Sequence, residues 1–570
     1  MRLLLWMNKY EMNYNGGKGR KCEELIMLKK VSFLVIILSM LFASSAFAYN
    51  VQLQPFKDEE NDYARDPIYT LSALGIINGY EDRTYRPNAD LTREAFIKLL
   101  VMASQLETAT IGTIPAGVAK DRWSAPFISV AYEHQWIDSL LDQNGSFDPA
   151  QTITRQEVAM LVGKALLDSE KDEVRQQWLA TDWKKERDIR AFKDQSAIDA
   201  DMQPYVYYAA SRGIMEGDLA GFKPKESLIR KQAAAVIYRL IDKRVSEEKV
   251  DFTGFYAISS YGAINQMNKL TDVILGWSHM EYSSAGFATL KTSSQTSKTV
   301  NVIPSGYVEA LTAADSAQIT KELMVFYDNS NLKDFLKDKI AQTAFIESLM
   351  TTLNEPDYSF TGVSIDFEGL LKEESAADYI TFLQDLKKQL GTYTLSVAVP
   401  PIYYYKGYDL KEIGELADTV ILMAHDFTDS QLPSAPLPLV NDTIVTALQV
   451  IPKEKLVLGI SKQANQWITS NGATASPVIP AIADVEKRLA MQSVVKTWSM
   501  PYFLAKAEFA DERGSHVMYY EDTQSIDKKI WLAKFYELKG VSLWQMGNYT
   551  AADWELIGKQ SSRGSSNSGL

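Results

Sequence analysis

The sequence predicts a multidomain protein: an all-α, three-repeat bundle followed by an α/β TIM (β/α)8 barrel. Three observations lead there. A chain of 570 residues exceeds what one hydrophobic core organises. Three segments of its first half align with one another. From Asp251 onward, eight short apolar runs alternate with helical patterns, the arrangement of a parallel sheet. An apolar content of 46% is ordinary for globular domains.

The first element is a targeting signal over 27–48: the basic pair Lys29-Lys30, an apolar run over 31–42, then Ala46-Phe47-Ala48 with cleavage expected after Ala48. The run is shorter than the roughly 20 residues a spanning helix needs, so no retained membrane span is expected. Residues 1–26 fit no signal pattern and read as an upstream extension, with translation beginning at Met27. The single cysteine, Cys22, lies in that extension, which leaves the mature chain without disulfides, thiol catalysis or cysteine-ligated zinc. The four histidines, His134, His279, His425 and His516, form no paired-ligand motif, so neither a metal nor another cofactor is expected. A formal net charge of -13 argues against nucleic-acid binding and leaves polysaccharide open.

The repeats occupy 52–110, 111–168 and 191–245, with a charged connector over 169–190. Each opens near an aspartate (Phe56-Lys57-Asp58, Lys120-Asp121, Phe192-Lys193-Asp194) and closes on an arginine entering a helix: Thr92-Arg93-Glu94, Thr154-Arg155-Gln156 and Ile229-Arg230-Lys231. Between lie a helical pattern, a turn such as Gly75-Ile76-Ile77 or Gly213-Ile214-Met215, and an aromatic-x-Pro piece: Tyr85-Arg86-Pro87, Phe147-Asp148-Pro149, Phe222-Lys223-Pro224. Units this small cannot each bury a core, so they must pack on one another.

This pattern resembles the S-layer homology domain, which forms a three-fold helical bundle and binds secondary cell-wall polysaccharide. The resemblance implies that Arg93, Arg155 and Arg230 line grooves between repeats and meet acidic sugar, a task suited to a guanidinium's bidentate grip. Ile229 replaces the threonine of the first two repeats, which makes the third groove the weakest expectation.

The barrel is expected over 250–555, with strands at 252–258, 272–277, 323–327, 362–367, 394–399, 419–424, 455–460 and 541–544. The fourth run, Gly362-Val363-Ser364-Ile365-Asp366-Phe367-Glu368-Gly369, decides the chemistry. Ser364, Asp366 and Glu368 alternate, so on a strand they share one face while Val363, Ile365 and Phe367 pack behind. Two carboxylates about 6 to 7 Å apart raise the cost of ionising each other, and one can stay protonated as an acid.

This run resembles the signature of glycoside hydrolase family 18, Asp-Gly-x-Asp-x-Asp-x-Glu at the end of the fourth strand. The resemblance implies that Glu368 is the general acid and later base, and that Asp366 orients the substrate's 2-acetamido group. That group's carbonyl oxygen attacks the anomeric carbon, so no enzyme nucleophile is needed. Thr361 and Ser364 stand where the family has two further acids; Ser364 is expected to hydrogen-bond Asp366 but cannot take up its proton. Spore-peptidoglycan glycosidases are similar here. Met423-Ala424-His425-Asp426 matches the family's Met-x-Tyr-Asp, with His425 in the tyrosine's place. Trp544 matches the eighth-strand tryptophan that floors the cleavage subsite, and Tyr256 and Trp277 are further candidates for sugar contact. The 80 or so residues between the seventh and eighth strands resemble the family's small α+β insertion, and 556–570 reads as a flexible tail.

The function expected is a retaining glycosidase, secreted and attached to the cell wall or surface layer. Its substrate would be a β-1,4-linked N-acetylglucosamine-containing glycan of peptidoglycan or chitin type, and its second partner secondary cell-wall polysaccharide. The competing reading is a catalytically weak or inactive chitinase-like binding protein. A purely structural surface-layer protein would need no aligned carboxylates.

Overall fold

Each repeat folds as two helices: α1 (Arg65–Ala73) and α2 (Arg93–Ala103), α3 (Ala125–Glu133) and α4 (Arg155–Asp168), α5 (Gln203–Ser211) and α6 (Arg230–Glu247). The computed structural model describes residues 51–565 apart from 52, 284–285, 294–300, 402, 404, 426, 428–431 and 434. The signal segment and all residues before it lie outside the described ones. The first helix of each pair stops at a left-handed residue, Gly75 (φ 70°), Gln135 (φ 57°) or Gly213 (φ 73°). Glycine takes that conformation without steric cost, and in the second repeat Gln135 adopts it instead.

The aromatic-x-Pro pieces close the repeats into a ring. Helix N-termini leave unpaired N–H groups, and here the next repeat supplies the acceptors. Arg93 and Glu94 amides donate to Gln151 and Pro149 carbonyls, Arg155 and Gln156 to Glu226 and Pro224, Arg230 and Lys231 to Ala89 and Pro87, at 2.9–3.1 Å. Because the third repeat returns to the first, no repeat has a complete hydrogen-bond set alone. The expected connector is helical over Asp172–Gln177 and Trp183–Arg190, but it is less solvated than its charge suggested. Trp178 Nε1 donates to the Pro204 carbonyl at 2.9 Å, and Trp183 stacks on Tyr207.

The barrel contains eight parallel strands: β1 (Asp251–Tyr256), β2 (Asp272–Ser283), β4 (Thr320–Tyr327), β5 (Gly362–Phe367), β6 (Thr394–Val399), β7 (Thr419–Leu422), β8 (Leu456–Ser461) and β14 (Gly540–Trp544). β1 pairs with both β14 and β2, which closes the sheet, and β3 (Phe287–Lys291) extends β2 as an antiparallel edge. Between β8 and β14, strands β9 (Ala464–Ser470), β10 (Ala473–Thr474), β11 (Val495–Ser499), β12 (Leu504–Asp511) and β13 (Gly514–Tyr520) form the small antiparallel sheet of the α+β insertion. One face of that sheet packs Ala464, Ala507 and Met518 against Val485 of a helix over Ile482–Leu489. Residues 556–565 depart from the expected flexible tail, and 566–570 lie outside the described residues. A helix covers Ala551–Gln560, buried Ser561 donates to the Lys269 carbonyl at 2.8 Å, and Arg563 reaches the Leu270 carbonyl at 2.8 Å.

Bundle and barrel also touch. Trp531 and Lys528, on the helix over Thr523–Phe535, donate to Asp242 of α6 (3.0 Å) and Asp66 of α1 (2.9 Å), and Gln105 donates to the Phe535 carbonyl at 2.6 Å.

Helices α4 and α5 approach closely at Gly163, where an added Cβ would lie 2.2 Å from the Tyr205 carbonyl oxygen. Gly163→Ala is therefore expected to lose about 1–3 kcal/mol of bundle stability through overpacking, read as a lower urea midpoint. An unchanged midpoint would show that the helices separate freely.

Candidate active site

The barrel interior is built from alternate residues of its strands. Phe255, Ile274, Met324, Ala398, Ile421 and Val457, one from each of six strands, form a buried cluster, and Phe326, Met423 and Trp544 pack on it while remaining partly exposed. In the β4–β5 register Met324 lies opposite Ser364 and Phe326 opposite Asp366, so Ser364 and Asp366 share the inward face. Phe367 points the other way and packs among Phe335, Phe345 and Phe382, ring centroids 5.5–6.2 Å apart. Tyr408 donates to the Phe367 carbonyl at 2.6 Å. These contacts hold the strand end rigidly, as a site requiring fixed geometry demands.

Asp366 is 3% exposed and its Oδ1 has no hydrogen-bond partner. Burial pushes its carboxyl well above the ordinary carboxylate range, and the charges of Glu368 and then Asp328 add to the effect. Glu368 lies at the strand's end, only partly buried, its amide donating to the Tyr327 carbonyl at 2.8 Å. Gly369 follows with φ 92° and turns the chain away. The arrangement is one desolvated acid beside one accessible acid at the carboxyl end of a closed sheet, with the Trp544 indole on the same interior cluster. Trp544 meets Phe255 edge-on at 5.1 Å. His425 is buried just beyond β7. Asp426 lies outside the described residues.

The structure corrects several expectations. Ser364 does not bond Asp366: its hydroxyl, fully buried, has no partner. Trp277 is 0% exposed and Tyr256 nearly so. Tyr256 follows the inward Phe255 and so faces the other side of the strand, where its ring meets Trp277, which in turn meets Tyr307 at 6.4 Å on an outer helix. Both are buried among other aromatic rings, and neither presents a face to a sugar. Asp328 and Phe326 were missed because nothing local marks them; only the β4–β5 register brings them to the site.

The three arginines are not equivalent. Arg155 Nε donates to the Phe222 carbonyl (3.0 Å) and Nη2 to Glu216 (3.1 Å), with the guanidinium over the Phe222 ring; Arg230 Nε donates to Tyr85 (2.9 Å), beneath the Tyr80 and Tyr85 rings. Both lie partly exposed against the next repeat. Arg93 instead is buried, its guanidinium 2.5 Å from the Glu157 carboxylate. The groove expected to be weakest, that of Arg230, is thus built like that of Arg155, and the first is closed by the protein's own acid.

A parallel (β/α)8 barrel with paired acids ending one strand is an arrangement that suits glycoside hydrolysis, among other reactions of this fold. Residues 250–548 match the model of glycosyl hydrolases family 18, and the chain belongs to that family. Residues 55–97 and 191–234 match the S-layer homology domain. Among curated relatives, the chain is 27% identical to the putative sporulation-specific glycosylase YdhD of Bacillus subtilis, over 39% of this chain and 55% of that one. It is 30% identical to the B. subtilis cortical fragment-lytic enzyme, over 36% and 51%. The match therefore spans about half the length of these relatives. Similar solved structures include the Bacillus cereus spore cortex-lytic enzyme SleL (21% identity, 55% of this chain, 75% of that chain, TM-score 0.46) and a chitinase from Chromobacterium violaceum (20%, 55%, 98%, 0.47). No helix among the described residues is long and apolar enough to cross a membrane.

Removing one member of a buried ion pair strands the other charge. Glu157→Ala is expected to destabilise the bundle by about 3 kcal/mol, while Arg155→Ala, whose partners are backbone carbonyls near solvent, is expected to change stability far less. Paired denaturation curves read the difference.

Proposed function

We propose that the chain is a surface-anchored, retaining glycosidase that hydrolyses β-1,4-linked N-acetylglucosamine-containing glycans of the peptidoglycan or chitin type. The observation that carries this reading is the pairing of a desolvated Asp366, one carboxyl oxygen unpartnered, with the more accessible Glu368 on the interior face that also bears Trp544. In this reading Glu368 gives its proton to the glycosidic oxygen as the bond to the anomeric carbon breaks. The substrate's acetamido oxygen forms the new bond to that carbon, and Asp366 accepts the acetamido N–H, favouring the attacking orientation. Water then opens the intermediate, returning a proton to Glu368, and two inversions give net retention. Trp544 and Met423 would floor the sugar, and His425 would donate a hydrogen bond where the family has tyrosine.

The names of the relatives, a sporulation-specific glycosylase and cortical fragment-lytic enzymes, support a wall glycan over chitin. The grooves of Arg155 and Arg230, each a guanidinium beside aromatic rings, suit an acidic cell-wall sugar and would hold the enzyme at the surface.

Release of a reporter from an N-acetylglucosaminide, and of fragments from muramic-acid-containing glycan, is expected to fall at least about a hundredfold in Glu368→Gln with unchanged unfolding. Undiminished release would remove the reading. Combined Arg155→Ala and Arg230→Ala is expected to weaken binding to isolated cell walls at least about tenfold, the loss of two charge-assisted contacts, measured by sedimentation of bound protein. Full retention on walls would exclude the grooves as the anchor.

A further inference from the structure

A third acid near the Asp366–Glu368 pair would help to keep one proton on it, and Ser364, where the family pattern has that acid, cannot supply a charge. Its hydroxyl does not reach Asp366. The neighbouring strand does supply one. β4 and β5 run parallel with Phe326 opposite Asp366 and Tyr327 opposite Phe367, and the Glu368 amide donates to the Tyr327 carbonyl at 2.8 Å. Continuing that register brings Asp328 beside Glu368, on a strand about 4.8 Å away. Asp328 is exposed at the rim, whereas Asp366 is sealed from solvent.

We propose that Asp328 is a positioning residue for the reaction: its carboxylate, reaching across from β4, stands in for the acid replaced by Ser364 and keeps the shared proton on the Asp366–Glu368 pair. This rests on the glycosidase reading above.

On the other side of β4, His279 of β2 lies opposite Phe326, its Nδ1 3.0 Å from the Asn301 carbonyl oxygen. On its own strand Asp366 faces Glu368. The helix over Ala376–Leu390 contributes the Tyr379 hydroxyl, and the segment after β6 contributes Tyr408, whose hydroxyl is committed to the Phe367 carbonyl. Both phenols stay neutral across the working range, since burial raises them. β6 pairs Ser396 and Val397 with Ser364 and Ile365 and carries no charge there. After Glu368, Asp328 is the charge that acts most on Asp366. A like charge makes loss of a proton from a coupled pair harder, so an ionised Asp328 moves both macroscopic steps of the pair to higher pH. No bond is made or broken by Asp328; it acts only through the pair.

The test compares pH profiles of kcat/KM on a chromogenic N-acetylglucosaminide for the full-length wild type, Asp328→Asn, Ser364→Asp and the double variant. Asp328→Asn is expected to move both limbs of the bell to lower pH by about half a unit to one unit, with KM on the plateau within about twofold. Adding Ser364→Asp should return the profile toward wild type, because it restores an acid from within β5. In parallel, the Asp366 carboxyl is followed by NMR of protein labelled with aspartate carrying 13C at Cγ, its signal assigned by its loss in Asp366→Asn, and should titrate lower in Asp328→Asn by a similar amount. That readout needs no turnover. If the wild type released no reporter, the glycosidase reading would fail, and the carboxyl titration alone would decide the role of Asp328. An Asp366 titration unchanged by Asp328→Asn overturns the proposal, as does a pH-independent loss of activity that Ser364→Asp does not rescue.

Discussion

Pairing of β1 with both β14 and β2 is the constraint on which the catalytic half depends. Closure turns one face of every strand into a single interior, and parallel direction collects all eight carboxyl ends at one rim. Asp366 on β5 and Trp544 on β14, far apart in the sequence, come to face one interior only because that ring closes. The interior cluster from Phe255 to Val457 then fills the middle of the barrel and leaves Phe326, Met423 and Trp544 as its upper surface.

Closure also sets the electrostatics. Asp366 is taken out of water at the top of the barrel without a hydrogen bond to its Oδ1, and Glu322 is taken out near the opposite end, where Thr394 donates to it at 2.7 Å. In both, burial is the leading cause of a raised proton affinity. Their company differs in degree: Asp366 has two further carboxylates acting on it, whereas on Glu322 the hydroxyls of Ser396 and Thr394 favour the charged form against the opposing charge of Asp272.

In the bundle the organising force is the unmet hydrogen bond. Each arginine-bearing helix begins against the proline-containing strand-like piece of the next repeat, so the three units complete one another around a ring. Within that shared frame, single residues individualise the grooves. Glu157 closes the first by neutralising Arg93, and aromatic rings beside Arg155 and Arg230 keep two guanidinium groups ordered yet partly exposed.

Much of this was legible in the sequence. Alternation of Ser364, Asp366 and Glu368 placed the two acids on one face; apolar runs located the barrel strands closely, except that β2 continues to Ser283, well past the expected end; and the repeat pattern located the arginines. These are local properties, since strand period and turn chemistry are written in neighbouring residues. The failures share one cause. Ser364 was expected to bond Asp366, Trp277 and Tyr256 to face a sugar, Arg93 to lie open, and Asp328 was not noticed. Each depends on which way a side chain points relative to a residue far off in the chain. Sequence by itself determined the fold class and the chemical identity of the acids, because periodicity and residue type suffice for both. Only the tertiary structure decided which groups share a desolvated space, because burial and pairing arise from cross-strand register and ring closure, quantities that no short stretch of sequence contains.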